Sequence, residues 1–332
     1  MQRRDVLKGA VAGAAALAAP RIGHAEGPKT INFTPQSDLA SIDPVWTTAD
    51  VTRNFSLAVF DTLYAYDAQF NVQPQMVEGA KTENDGKLWE LTLREGLAFH
   101  DGTPVLAKDC VATINRFCKR DPFGGALISR VDELSAPSDK VIRFKLNKPF
   151  ALLPNALAQI YCAIMPERLA QTDAMKQIPE AIGSGPFKFV ASERIPGQRI
   201  VFVKNDKYVP RKDGTPSFNA GPKNVYVDRV VWNVIPDPAT AMAALAQGET
   251  DWWENPIIDL VPVLKRNKDL VVKVTDRTGE IGCLRFNHLY PPVDNPAVCR
   301  VVRAAMDQKE IMEAVSGADP GLIVKDVGVF VP

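Results

Sequence analysis

Residues 80–102 read AKTENDGKLWELTLREGLAFHDG, and this stretch decides the fold class. Within it, Trp89–Arg94 alternates apolar and polar side chains with a period of two residues, which is typical of a strand with one buried face. Asp101-Gly102 then forms a tight turn, and Pro104 prepares the chain for a helix. The stretch therefore predicts a strand that is followed closely by a helix.

A helix and a second strand follow this turn. Residues 107–118 place Val111, Ile114 and Phe117 on one side of a helix, as an amphipathic segment does. Ile142–Leu146 again alternates with a period of two. The order strand, helix, strand predicts a compact α+β unit within residues 88–146.

The second half of the chain carries its own helix signals. Asp237-Pro238 supplies an N-cap and a first-turn proline for a helix over Ala239–Gln247, and Gly248 ends it. The chain then enters a strand at Trp252-Trp253. Residues 208–224 are rich in Pro, Gly and basic side chains, which predicts a long surface loop. The chain is therefore α/β in character, without an internal repeat.

The composition and charge of the chain limit the classes of function that it can have. The chain has 332 residues, 46% of them hydrophobic, and its 39 basic and 39 acidic side chains give a net charge of zero. This is a globular mixture for about two domains, and it has no basic excess that would favour nucleic acid. Only three histidines occur, which disfavours His-rich metal or triad chemistry. A soluble binding protein or a carboxylate-dependent enzyme remains.

Residues 1–25 have the pattern of an export signal. Arg3 and Arg4 precede an Ala/Gly-rich apolar run over 9–19, which is too short to span a bilayer. Gly23-His24-Ala25 offers small residues at the positions that a signal peptidase reads. The segment resembles a twin-arginine signal, and no Cys follows the cleavage point. The alternative, an amphipathic first helix, would pack poorly with an apolar face of Ala and Gly. We expect export to the periplasm.

Five cysteines occur, an odd number without a CxxC pair. This spacing argues against a zinc ribbon or a thioredoxin-like site. Cys110 and Cys118 fall in the predicted helix, where a cysteine usually serves as a small buried apolar residue. The sequence leaves disulfide pairing open.

A family resemblance rests on residues 80–102 together with further strings in the family's order. The chain resembles the peptide/nickel-binding group of extracellular solute-binding proteins, family 5, which are periplasmic components of ABC importers. The further strings are Ser41–Pro44, Val105–Arg116, Gly183–Phe187, Asn205–Tyr208, Gly248–Asp251 and several positions over 286–304.

The resemblance implies a two-lobed periplasmic binding protein of the type II, cluster C-like α/β class with an extra α+β domain. Domain I would comprise 26–50 and 184–279, domain II would comprise 51–183, and domain III would begin with 280–332. The family pattern continues beyond Pro332, so we expect a fragment or a truncated reading frame. Its third domain would hold only an opening strand and a helix around Ala297–Val315, and the chain would be less stable than a complete member.

The resemblance also implies where a ligand lies. In oligopeptide binders, the segment before the Ser-x-Asp-Pro string pairs with the ligand backbone like an added strand. Here these positions are Asp38, Leu39 and Ala40. Polar residues after the Gly-Glu-x-Asp string line the pocket, which implies Glu254 and Asn255. The alternative for Asp38 and Glu254 is a solvated surface carboxylate.

Tryptophans are candidates for the wall of a cleft. Trp252 and Trp253 are adjacent on a predicted strand and so face opposite sides, which takes at least one of them off the core face. Plain core packing is the alternative for both. If Trp46 joins them in one cleft, a sugar is favoured, since an aromatic wall offers stacking and apolar area. If carboxylates and Asn line the cleft instead, a peptide is favoured.

Gly183, Ser184 and Gly185, followed by Pro186, are the candidate hinge. A flexible and then rigid composition is expected where a chain crosses between lobes and must tolerate unusual dihedral angles.

The expected function is capture of a peptide-like solute and its delivery to an ABC permease, by a monomer without enzymatic activity, cofactor, metal or nucleic-acid partner. A nickel chelate or an oligosaccharide is the alternative ligand. A secreted carboxylate-dependent hydrolase gains no support, since no HExxH, GxSxG, Walker A or GxGxxG pattern occurs. His100 beside Asp101, and His288 near Asp294, would be the sites for such chemistry.

Overall fold

The computed structural model describes residues 29–275, 279, 281–317 and 319–324. The predicted signal segment 1–25, with Arg3 and Arg4, lies outside these residues. Eleven strands occur among the described residues. They are β1 (Thr30–Thr34), β2 (Tyr64–Tyr66), β3 (Val72–Pro74), β4 (Val77–Glu83), β5 (Leu88–Leu93), β6 (Val131–Ser138), β7 (Val141–Leu146), β8 (Phe187–Phe189), β9 (Arg199–Lys204), β10 (Arg229–Asn233) and β11 (Trp252–Trp253).

Helices connect and cover these strands. In chain order they are α1 (Asp50–Val59), α2 (Ala107–Cys118), α3 (Pro122–Ile128), α4 (Leu153–Leu157), α5 (Glu167–Ala170), α6 (Pro238–Gln247), α7 (Val261–Leu264), α8 (Pro296–Ala305) and α9 (Gln308–Ser316), with short 3₁₀ turns at Ala191–Glu193, Ile258–Leu260 and Pro320–Leu322. In the part of the chain that the structure describes, no helix combines the length and the apolar character that a membrane crossing needs.

A five-stranded mixed sheet has the order β11-β1-β10-β9-β8. β1 runs parallel to both β10 and β11, whereas β9 is antiparallel to β10 and to β8. The pairing of Phe33 with Trp252 brings the end of β1 beside β11. The sheet therefore places Gln36, just after β1, close to Glu254, just after β11. Asp38 and Leu39 instead contact the loop between β8 and β9.

A four-stranded antiparallel sheet has the order β4-β5-β7-β6. Leu91 of β5 lies opposite Ile142 of β7, and both side chains are fully buried. Ile114 and Phe117 of α2 are buried in the same core cluster. The predicted strand, helix and strand within 88–146 are confirmed, and α3 and β6 add to them.

Two hydrophobic cores organise the described residues. One contains α2 and the four-stranded sheet, and the other contains β1, β9 and β10. Side chains from 51–60 and 163–178 pack in the second core, although the predicted domain II includes them. The domain boundaries remain a prediction, and this packing places α1 with the five-stranded sheet.

The C-terminal part differs from the expectation. Two helices, α8 and α9, replace the single helix over Ala297–Val315, because the Asp307 side chain accepts a hydrogen bond from Glu310 N and caps a new helix. The expected opening strand of domain III is wrong for the described residues, which contain no strand after Trp253. Within the described part of the chain, residues 281–287 pair with no strand. Without a partner strand, the backbone N–H and C=O groups of an extended segment lack hydrogen bonds, so no strand forms.

The cysteines behave as the sequence indicated. All five are free thiols, and Cys110, Cys118 and Cys162 are buried in the first core. Burial raises the pKa of the Cys118 thiol to about 12 and raises that of Cys110 further, so neither is reactive at neutral pH.

Candidate functional site

The segment Asp38–Ala40 is anchored on one side and open on the other. The Leu39 side chain is fully buried in the second core, and the Leu39 carbonyl oxygen accepts a hydrogen bond from Arg194 Nη2. Asp38 Oδ2 accepts a hydrogen bond of 2.9 Å from Gly197 N. In the described part of the chain, the N–H groups of Leu39 and Ala40 donate to no other group. Leu39 is completely buried, whereas Ala40 is exposed, so the segment offers the Ala40 N–H as a free donor while its position is fixed.

The Asp38 carboxylate faces the loop between β8 and β9. Its Oδ1 atom is buried without a hydrogen-bond partner, and so are Nε of Arg194 and Nε of Arg199. A buried unpaired polar atom is unfavourable, so this loop and the 38–40 segment form a site with unused hydrogen-bonding capacity.

Trp252 and Trp253 lie at the sheet edge. Trp252 is 53% exposed and contacts Phe33 edge-to-face at 5.4 Å between ring centroids. Trp253 is half-buried. Core packing is therefore wrong as an account of Trp252, which presents an aromatic surface to solvent next to the end of β1.

Glu254 connects three elements. Its Oε2 atom accepts a hydrogen bond of 2.9 Å from Gln36 N, and its Oε1 atom accepts one from Asn54 Nδ2 of α1. Its own N–H donates to Thr34 O at 3.0 Å. Both carboxylate oxygens are thus occupied by the chain itself, which makes Glu254 a support for the site. Asn255, the next residue, is exposed.

Trp46 lies in a different environment. The guanidinium of Arg120, just after α2, sits 4.8 Å from the centre of the Trp46 ring, and its Nη2 donates to Trp46 O at 2.9 Å. None of the ring contacts among the described residues joins Trp46 to Trp252 or Trp253. The structure does not bring the three tryptophans together.

Gly183–Gly185 is packed tightly against the end of α1. A Cβ atom on Gly183 would overlap the Val59 carbonyl oxygen, and one on Gly185 would lie 2.7 Å from the Val59 carbonyl carbon. Neither glycine has a positive φ, so the expectation of unusual dihedral angles is wrong. Glycine is required here because two backbone segments approach closely. Ser184 is buried, and the hinge role of the three residues remains a prediction.

His100 supports the same segment. Its backbone N–H donates to Gly183 O at 2.9 Å, and its ring Nε2 lies 3.1 Å from Gly185 O. Burial lowers the His100 pKa to about 4, so the ring is neutral at neutral pH. Asp101 instead accepts hydrogen bonds from the Thr103 N–H and hydroxyl. The ring interacts with the Gly185 carbonyl and is not oriented by Asp101.

The other acid–base pair that the sequence offered is also separate. His288 Nδ1 is 2.8 Å from Val293 O, and no hydrogen bond or ion pair joins it to Asp294 within the described residues. The same residues contain no group of three or more His, Cys, Asp or Glu placed to hold a metal.

Two groups at the site were not predicted. Arg194 holds Leu39 from 155 residues away, and Asn54 holds Glu254 from 200 residues away. Neither contact has a local signal in the sequence, because only the tertiary fold brings these segments together.

Comparisons with known proteins identify the family of the chain. Residues 71–322 match the bacterial extracellular solute-binding proteins, family 5 Middle. The chain is 38% identical over 323 residues to the probable peptide ABC transporter periplasmic-binding protein y4tO of Sinorhizobium fredii, which covers 96% of this chain and 60% of that protein.

Solved structures show the same fold. A dipeptide-binding protein from Pseudoalteromonas sp. SM9913 in complex with Met-Leu matches with a TM-score of 0.69 and 20% identity, covering 86% of this chain and 59% of that one. The periplasmic binding protein DppA of Helicobacter pylori in complex with peptide STSA matches with a TM-score of 0.69 and 22% identity, covering 87% and 58%.

The chain spans about half to three fifths of the length of the curated relatives and solved structures that it matches. The matched part has the α/β fold of two-lobed periplasmic binding proteins. The family binds solutes and is not catalytic, and it implies a periplasmic location. With 71–322 matching over most of its length, this chain belongs to the bacterial extracellular solute-binding proteins of family 5.

Proposed function

We propose that this chain belongs to a periplasmic binding protein that captures a short peptide and delivers it to an ABC permease. The observation that carries the proposal is the N–H group of the exposed residue Ala40, which donates to no other group in the described part of the chain and lies at the end of the sheet where β1 and β11 both finish. The names of the matched relatives, which refer to peptides, support the same ligand class. Export through a twin-arginine signal in residues 1–25 and action as a monomer are part of the proposal.

Recognition would follow the hydrogen-bonding rules of a β-sheet edge. The N–H group of Ala40 would donate to a carbonyl oxygen of an extended peptide, which binds as an added strand independently of its side chains. Trp252 offers apolar area for one ligand side chain. The Asn255 amide supplies both a donor and an acceptor for a peptide group. Arg194, through Leu39 O, would hold the binding strand in place.

The backbone donor at Ala40 can be removed by substitution. We expect Ala40→Pro, which lacks the N–H, to weaken binding of the dipeptide Met-Leu about tenfold in calorimetric titration, as loss of one buried hydrogen bond does. Ala40→Ser keeps the N–H and serves as the matched control. Equal affinity of the proline and serine variants would contradict the role of the backbone.

Native mass spectrometry of the chain from a periplasmic extract tests the ligand class and the export signal together. A polypeptide that begins at Glu26 supports cleavage after residue 25. Adducts spaced by amino-acid residue masses support peptides, whereas adducts spaced by hexose masses would replace the peptide with an oligosaccharide that stacks on Trp252. A nickel-containing adduct would likewise overturn the peptide.

A further inference from the structure

Three Asp-Gly pairs occur in the sequence, at 85–86, 101–102 and 213–214. An Asp-Gly pair can isomerise without an enzyme, because the glycine nitrogen attacks the carbonyl carbon of the aspartate side chain and closes a succinimide ring. Glycine favours this ring, since it has no Cβ atom that would hinder the approach. All three aspartates are exposed, so access of water does not rank the pairs. The hydrogen bonds of the attacking N–H and of the carboxyl group decide which pair reacts.

Both reacting groups of Asp101-Gly102 are held. Gly102 N donates to Phe99 O at 2.9 Å. Asp101 Oδ1 accepts hydrogen bonds from the Thr103 N–H at 3.0 Å and from the Thr103 hydroxyl at 2.7 Å. Burial alone would raise the Asp101 pKa, but the Thr103 bonds and the Arg168 charge outweigh it and lower the pKa. The protonated carboxyl group, from which ring closure expels water, is therefore scarce at this pair.

In Asp85-Gly86, one of the two groups is held. The pair lies in the turn between β4 and β5, where Gly86 N donates to Glu83 O at 3.2 Å. Within the described residues, the Asp85 carboxylate makes no hydrogen bond or ion pair. The turn therefore fixes the attacking nitrogen, although the carboxyl group is free.

Asp213-Gly214 has a free attacking nitrogen. In the described part of the chain, the Gly214 N–H donates to no other group. A Cβ atom built on Gly214 would have no atom beyond its chain neighbours within 4 Å, so there is room for ring closure. Asp213 Oδ2 accepts a hydrogen bond of 3.0 Å from Arg211 Nη2. The Asp213 side chain is 75% exposed, and an ion pair as exposed as this one holds the carboxyl group only weakly.

Fixed points on both sides of this pair confine a change in its main chain. Arg211 Nη1 donates to Val77 O at 2.7 Å, and Ser217 Oγ accepts from Ala68 N at 3.0 Å. Residues 212–216, between these two anchors, are all exposed. One additional main-chain carbon at 213 is therefore absorbed without displacing a buried side chain.

We propose that Asp213-Gly214 is a site of spontaneous isomerisation to isoaspartate. A bond forms between Gly214 N and Asp213 Cγ, and the carboxyl hydroxyl leaves as water with the amide proton. Water then opens the ring. Cleavage of the new N–Cγ bond restores aspartate, whereas cleavage between Gly214 N and the main-chain carbonyl carbon of Asp213 gives isoaspartate. One water is released and one is consumed, so the product has the mass of the starting chain.

The test incubates the complete folded chain at mildly acidic pH and measures isoaspartate at each pair. Proteolytic digestion, peptide separation and electron-transfer fragmentation distinguish the two isomers, because only isoaspartate has a Cα–Cβ bond in its main chain. We expect the isoaspartate fraction at 213 to exceed that at 85, and to exceed that at 101 about tenfold, since hydrogen bonds hold both groups at 101. Equal fractions at 213 and 101, or a larger fraction at 85 than at 213, would overturn the proposal.

The same chain in urea is the matched control. Unfolding removes the hydrogen bonds that distinguish the pairs, so the three fractions should come within about twofold of one another. If the fraction at 101 stays about tenfold lower in urea, neighbouring sequence rather than the fold protects that pair, and the structural argument fails.

Two variants test the assignment through a change in mass. In Asp213→Asn, attack by Gly214 N expels ammonia in place of water, and hydrolysis of the ring then leaves a heavier chain. Asp101→Asn is the matched variant at the held pair, and both positions are exposed, so neither should lower the melting temperature greatly. We expect Asp213→Asn to gain mass about tenfold faster than Asp101→Asn in the folded state. Equal rates would contradict a free Gly214 N–H.

Discussion

Asp43 and Arg116 form a fully buried ion pair that holds the segment next to the candidate site. The two Arg116 Nη atoms donate to the two Asp43 oxygens at 3.0 and 2.6 Å. Arg116 Nε also donates to Thr172 O, and Ile178 N donates to Asp43 Oδ2. The pair thus links the chain just after Ala40 to α2 and to the residues after α5.

Removing one member of this pair should strongly destabilise the fold. We expect Arg116→Met to lower the free energy of unfolding by about 3–5 kcal/mol, because Asp43 is left as an uncompensated buried charge. The matched control is Lys145→Met, which breaks the exposed pair with Glu133 and should cost about 1 kcal/mol or less. Urea denaturation measures both, and similar losses would show that Arg116 is not held as described.

His100 gives the stability a specific dependence on pH. Its pKa is about 4 in the folded chain and about 6.5 in an unfolded one, so between these values only the unfolded state takes up the proton. Stability should therefore fall as the pH decreases from 6.5 to 4, by about 3 kcal/mol from this group. His100→Gln, which keeps a donor for Gly185 O, should lack this component. Parallel curves for the two chains over that interval would contradict the assignment.

At the scale of single residues, the sequence predicted burial or exposure where these depend on residue type and on near neighbours in the chain. Cys110 was predicted to be buried because a cysteine in a helix usually serves as a small apolar residue, and it is fully buried. Trp252 is exposed because adjacent residues of a strand point to opposite faces, and Trp253 takes the more buried face. Arg194 and Leu39 could not be paired in advance, since a contact across 155 residues depends on how β8, β9 and β1 assemble.

Among the secondary-structure elements, α6 shows what end signals can predict. Asp237 accepts a hydrogen bond from Thr240 N, Pro238 is in the first turn, and Gly248 has φ of 75°, as the sequence indicated. β6 was missed because its sequence VDELSAPS does not alternate and contains Pro137. β6 is an edge strand, where a proline is tolerated since one side of the strand donates to no neighbour.

The cap of α6 can be tested directly. Asp237→Ala should lower the free energy of unfolding by about 1 kcal/mol, because Thr240 N loses its acceptor at the helix start. Asp206→Ala, at an exposed aspartate outside a helix start, is a suitable control and should change it by about 0.5 kcal/mol or less. Equal effects in thermal denaturation would argue against the cap.

The junction between Gly183–Gly185 and α1 permits no side chain. Gly183→Ala should destabilise the chain by about 3 kcal/mol or more, because the new Cβ meets the Val59 backbone, which cannot move independently of α1. Gly79→Ala in β4 is the control, since no atom lies within 4 Å of its Cβ position, and it should be neutral or slightly stabilising. A tolerated alanine at 183 would mean that this segment moves away from α1, as an open hinge requires.

At the scale of the whole molecule, burial is uneven along the chain. α2 has Ile114 and Phe117 fully buried, whereas α8 has no buried residue. Val301 of α8 and Val315 of α9 are 68% and 67% exposed. Both helices thus leave apolar side chains uncovered within the described residues.

This difference predicts a gradient of local stability. Because α8 and α9 bury little apolar surface, their amide hydrogens should exchange through local opening that costs about 0–2 kcal/mol, while those of α2 should require nearly global unfolding. Hydrogen–deuterium exchange with peptide resolution measures both regions in one sample. Adding a peptide that binds at Ala40 should protect residues 36–40 and 252–255 and leave the slow exchange of α2 unchanged. Protection of α8 equal to that of α2 without ligand would mean that its apolar face is covered in solution, and the stability of the chain would then depend on a contact that α8 makes there.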